Sequence, residues 1–368
     1  MWWICPARKL EYALEVGMSQ ARPPGERNDV TLRVCRKPVL SLDTSYLSNL
    51  ARARHGEGLP LHVLEAWTEL LHALTEAVWD DRLVCPAFNV QVEEVEMDDR
   101  IAGPAWVVLR SLSLGLAFHT LDGIVARQVE DVARRFLQLP SADEPPWRRV
   151  VQSDPDLPAT EMSRQACLTG PFLAFNDRNS VQRHRQGEYK GIRESLPAPV
   201  LDTVLHGTPV ESRLAFARLV VGRRLRDALL GSSATLARWS LADPVGEWID
   251  LASRLRAAGM GTRELLEFLA SPWLAHVPYV DLYCALARAA AHVGATGRPG
   301  QPSDEADRCI VSALFPYCSL MTTDRFVKHL VTTELHLDAQ YGCQVFSGKM
   351  EDVRLLTDVV RSLPAVVL

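Results

Sequence analysis

The sequence predicts an α/β protein: a three-layer α/β/α domain with a central parallel sheet, interrupted by a mainly helical insertion. Three observations carry that prediction. Short apolar runs alternate with amphipathic helical patterns over residues 37–103. The alternation resumes over residues 274–362. Between them, residues 104–273 keep helical periodicity but lack strand-like runs. Strands separated by helices argue for a parallel sheet covered on both faces. Ligands of such sheets bind beyond the carboxyl ends of the strands.

Taken in order, residues 1–36 read as an N-terminal extension and linker, closed by ARPPGERND. KPVLSL at 37–42 is a short apolar strand ending in Asp43-Thr44-Ser45, and Asp43 or Thr44 can cap the helix that begins at Tyr46. Residues 61–78 form an amphipathic helix with Leu64, Trp67, Leu71, Leu74 and Val78 on one face. RLVCP at 82–86 reads as a second strand, and an acidic helix with Glu93 and Glu94 follows. Within the insertion, 106–139, 211–238 and 247–269 are helical, and 140–210 reads as irregular. After a helix at 279–292 comes the richest stretch, SDEADRCIVSALFPYCSLMTTDRF at 303–326. Ser303 is a good N-cap, Pro316 stops the helix, and SLMTT is a buried strand with Asp324 at its end. Strand 343–346 and helix 350–363 complete the pattern.

Composition narrows the classes. A hydrophobic share of 47% and a charged share of 23% over 368 residues are those of an ordinary globular protein with ample core. A net charge of −5 excludes global basic character, so any nucleic-acid contact needs a local patch. Such a patch exists at Arg183, Arg185, Tyr189 and Lys190, although a solvated surface segment would look the same. Eight cysteines, none in a CxxC pair, read as buried thiols of a reducing compartment rather than a zinc site. No apolar run is long enough to span a membrane, and a cytoplasmic location is the default expectation.

Asp43, Glu94, Asp304, Asp307 and Asp324 are the candidate site residues. Each has an ordinary alternative role. Acids in a first helical turn complement the helix dipole, and an Asp after a strand commonly caps the next helix. Together they offer hard oxygen ligands, which suit Mg²⁺ or Mn²⁺. Cleaving a phosphodiester with water needs an activated nucleophile and neutralised phosphate charge, and such ions supply both. This chemistry requires no histidine or lysine base.

These residues resemble the PIN-domain nucleases. DTSYLSNL at 43–50 is similar to the family's first motif, CPAFNVQVEE at 85–94 to a second motif found in a bacterial group, and 303–326 to that group's third and fourth motifs. The resemblance covers about 37–103 and 274–362 and implies metal-ligating and catalytic roles for Asp43, Glu94, Asp307 and Asp324. Asp304 would be an accessory ligand, Glu93 the alternative to Glu94, and Thr322 would orient the last strand end. Ser319 and Gln91 depart from the group, which often has Asp and His there. The resemblance implies a Mg²⁺- or Mn²⁺-dependent nuclease, usually an endoribonuclease, acting on nucleic acid with RNA favoured over DNA. A catalytically inactive scaffold that binds nucleic acid or protein is the alternative. The insertion at 104–273 is where a homo-oligomer or protein partner would attach. A haloacid-dehalogenase reading of 43–45 fails because Ser45 stands where that family needs a second Asp.

Overall fold

The computed structural model describes residues 35–56, 58–88, 91, 102–141, 144–169, 198–230, 245–296 and 302–365. In chain order its elements begin with strand β1 (Leu40–Ser41), α1 (Thr44–His55), α2 (Leu61–Trp79), α3 (Ala102–Ser113), α4 (Leu121–Phe136) and α5 (Ala159–Thr169). Next come α6 (Ala198–His206), α7 (Pro209–Ala217), α8 (Arg223–Leu230), α9 (Val245–Ala257), α10 (Thr262–Ala270) and α11 (Pro278–Thr296). The chain closes with α12 (Pro302–Leu314), β2 (Leu320–Thr322), α13 (Arg325–His329), α14 (Leu337–Tyr341), β3 (Gln344–Phe346) and α15 (Met350–Ser362).

This overturns the expected three-layer α/β/α fold. The described residues are mostly helical, and among them the sheet has three short parallel strands, in the order β1-β2-β3. The physical reason lies in the apolar runs. RLVCP does not become a strand: Val84 makes one isolated parallel bridge to Val39. Pro38 and Pro86 flank these two residues and cannot donate to a ladder, so pairing stops after a residue or two. Short apolar runs are compatible with buried strand, helix or coil alike. The burial here is done chiefly by helices of up to 19 residues.

The chain divides into two compact units. The described residues of Val30–Leu121, Glu144–Pro197 and Leu286–Leu368 form the sheet-bearing unit. There α1 packs on α2 and α3, and α2 packs on α15. The amphipathic face of α2 buries Trp67, Leu70, Leu71, Leu74 and Val78, and Trp67 meets Tyr46 of α1 edge-on with ring centroids 4.9 Å apart. Gly56 ends α1 in a left-handed conformation (φ 71°), which glycine adopts without a Cβ clash. The predicted helix at 106–139 is two helices, because Leu114 and Gly115 both turn left-handed between α3 and α4. The helix at 303–326 begins one residue early, at Pro302, so Ser303 lies inside the first turn rather than capping it. It ends before Pro316, as a proline stop requires.

The second unit comprises the described residues of Asp122–Asp143 and Ala198–Ala285 and is helical. Its core stacks Phe216 on Tyr283, with centroids 4.2 Å apart. Buried Asp122 accepts hydrogen bonds from Arg224 and from Trp248 Nε1 (2.9 Å), and Glu130 pairs with Arg254 at 2.8 Å. Of the described cysteines, Cys85, Cys284, Cys309, Cys318 and Cys343 are buried and not in disulfides. No described helix is long and apolar enough to cross a membrane.

Candidate carboxylate site at the strand ends

Each of the three strands leaves the sheet at its carboxyl end, and a helix follows. After β1, Asp43 has extended backbone (φ −80°, ψ 154°) and caps α1. Its carboxylate accepts hydrogen bonds from the Ser45 amide (3.1 Å) and the Ser45 hydroxyl. After β2, Asp324 does the same for α13, accepting from the Val327 amide at 2.6 Å. The pairing of Leu40 with Leu320 and of Ser41 with Met321 sets these two aspartates at the ends of adjacent strands. The Asp43 amide donates to Thr322 Oγ1 at 2.6 Å, so the β2 threonine holds the backbone of the β1 aspartate. Thr322 itself is buried, as is Ser41.

The Asp43 carboxyl is displaced from its ordinary range. Burial pushes the Asp43 carboxyl above the usual carboxylate range, the hydrogen bonds from Ser45 and Thr44 pull it down, and the charge of Asp324 raises it further. A cation between two such groups would relieve both the desolvation and the repulsion. The donors are hard carboxylate oxygens, so the pair fits Mg²⁺ or Mn²⁺ better than thiophilic metals.

The other expected members stand apart from this pair or outside the described residues. Asp307 lies half-buried on α12, which packs on α13. Asp304 lies in the first turn of α12, and its side chain is outside the described residues. Glu94 and Glu93 are outside them too, as are Arg183, Arg185, Tyr189 and Lys190. Among the described residues, no three or more His, Cys, Asp or Glu are grouped to hold a metal ion, so Asp307 does not complete such a group with Asp43 and Asp324. Gln91 is described. It is buried, accepts from the Phe88 amide at 3.0 Å and donates to the Leu42 carbonyl, which ties Phe88 and Gln91 to the residue before Asp43.

Four residues at this end of the sheet escaped the sequence reading. Ser347, after β3, donates its amide (2.8 Å) and hydroxyl (2.5 Å) to Asp352 of α15. Asp352 also receives the Lys328 ammonium at 2.7 Å, and the Tyr46 hydroxyl donates to the Ser347 carbonyl at 2.5 Å. For Asp352, partial burial acts to raise the carboxyl, but the bonds from Lys328 and Ser347 outweigh it and hold it below the usual range. Asp352 lies in the first turn of the helix that follows β3, and Lys328 stands one turn beyond Asp324. That spacing was the available signal.

No family model matches this chain, and neither a curated protein nor a solved structure does.

Proposed function

We propose that the chain is a divalent-metal-dependent phosphodiester hydrolase, a nuclease with RNA as the favoured substrate and a kinship to the PIN-domain nucleases. One observation supports this best: Asp43 and Asp324 each cap the helix that follows its strand, at the ends of adjacent parallel strands, close enough for the charge of Asp324 to raise the Asp43 carboxyl. In this reading Asp43 and Asp324 hold Mg²⁺ or Mn²⁺, and Glu94 and Asp304, whose side chains lie outside the described residues, are the further candidate ligands. The ion supplies an activated water and charge neutralisation at the phosphate. Thr322 keeps Asp43 in place through its backbone amide. Arg183, Arg185 and Lys190 hold the RNA backbone, and Tyr189 stacks on a base.

The test is cleavage of a broad panel of RNA and DNA with Mn²⁺ or Mg²⁺. Asp43→Asn and Asp324→Asn should each abolish cleavage and leave the circular dichroism spectrum unchanged. Replacing Arg183, Arg185 and Lys190 by Ala should weaken RNA binding and flatten its dependence on salt, and an unchanged slope removes the cluster from the binding surface.

A second reading has its own support. Both aspartates are engaged as helix caps, Asp43 by Ser45 and Asp324 by Val327, and capping alone would account for an acid at each position. In that case the chain is a catalytically inactive scaffold for nucleic acid or a protein partner. Absence of cleavage across the panel with either metal would decide for the scaffold.

A further inference from the structure

The ends of β1 and β3 are two strand spacings apart, roughly 9.5 Å, with the end of β2 between them. Tyr46 spans that gap. It sits on α1, one turn past Asp43, and its hydroxyl reaches the Ser347 carbonyl after β3. Ser347 passes the connection to Asp352, and Asp352 passes it to Lys328 on α13. The Lys328 amide in turn bonds the Asp324 carbonyl at 3.0 Å. A single chain of hydrogen bonds therefore starts on the helix that Asp43 caps and ends on the helix that Asp324 caps.

We propose that Tyr46, Ser347, Asp352 and Lys328 form a positioning relay that sets the separation of the Asp43 and Asp324 carboxylates. The proposal rests on the reading that this pair holds a divalent cation. The sheet alone is a weak ruler, because β1 and β2 share only two paired positions. Carboxylate sites need their ligands held to about 0.5 Å, and supporting hydrogen bonds normally provide that. The relay has the required stiffness. Tyr46 and Ser347 are buried to within 1% exposure, and two of its links are charge-assisted bonds to Asp352. Its Tyr46 and Ser347 lie after β1 and β3, on either side of β2, the strand that Asp324 follows.

The experiment uses the full chain and the variants Tyr46→Phe, Asp352→Asn and Lys328→Met, with Lys328→Arg as the conservative rescue. Titration with MnCl2 reads the site, and amide hydrogen exchange reads the geometry without metal. Loss of a supporting partner should weaken Mn²⁺ binding on the order of tenfold. Tyr46→Phe combined with Asp352→Asn should be no worse than the stronger single variant, because both break one chain. Exchange at the Ser45 and Val327 amides, which donate to Asp43 and Asp324, should accelerate, while exchange at buried Leu74 on α2 stays unchanged. Lys328→Arg should restore most of the binding. Wild-type Mn²⁺ affinity and wild-type exchange in all variants would overturn the relay, and so would equal acceleration at Leu74, which marks general loosening. If the wild-type chain takes up no Mn²⁺, the metal reading itself falls, and selective exchange at Ser45 and Val327 alone decides the relay.

Discussion

Asp43 has two roles that substitution can separate. Its carboxylate caps α1, and its charge is half-buried, with the carboxyl raised in part by Asp324. Asn caps as well as Asp, whereas Ala does not cap at all and loses about 1 kcal/mol relative to Asn. Asn also removes the partly desolvated charge. The sign with pH follows from protonation. In the unfolded chain Asp43 titrates near the ordinary value of about 3.9, and in the folded chain it keeps its proton to higher pH. Between those two values the native state binds more protons than the unfolded state, so the contribution of Asp43 to stability falls as pH rises, then levels off. With EDTA at about pH 7, Asp43→Asn should therefore be more stable than wild type, and the two should converge as the pH drops below the ordinary carboxylate range. Asp43→Ala should lie below Asp43→Asn by about 2–4 °C in Tm, the shift that 1 kcal/mol makes in a domain of 150–250 residues. The assay is thermal unfolding by circular dichroism across pH, repeated with excess Mn²⁺, which should raise the Tm of wild type and not that of Asp43→Asn. If Asp43→Asn is destabilised at neutral pH as much as Asp43→Ala, the strained-charge argument is refuted.

Two further outcomes are expected. Asp122→Ala leaves the buried Trp248 indole N–H without its acceptor, and Arg224 without its partner, and should destabilise the helical unit by about 1–3 kcal/mol in urea unfolding, with Asp122→Asn losing less. Burial pushes the Cys85 thiol up to about 12 and raises Cys318 and Cys343 as well, so these three should resist a thiol reagent at mildly alkaline pH until the chain is unfolded; fast labelling of the native protein would contradict that burial.

Local pattern made several elements legible in advance. The heptad-like apolar face of α2, the carboxylate caps at Asp43 and Asp324, and the stop before Pro316 all depend on residues within a turn or two of each other, so the sequence carries them directly. Fold class was misjudged for a related reason. A run such as RLVCP declares that it is buried, but whether it pairs depends on distant partners, and Val84 found only Val39. The composition of the candidate site divides the same way. Asp43 and Asp324 were recognisable because each follows an apolar run and opens a helix. Their adjacency depends on β1 pairing with β2, some 280 residues away, and nothing local encodes that pairing.

What the sequence determined by itself is the set of strand-end aspartates and the helices they cap, because caps and periodicity are short-range properties of the chain. Only the tertiary structure decided that the sheet is small, that the helices do most of the burying, and that Tyr46 meets Ser347 across 301 positions of sequence. Those outcomes are set by which buried donors and acceptors find each other once the backbone has collapsed, a competition among distant residues that no single stretch records.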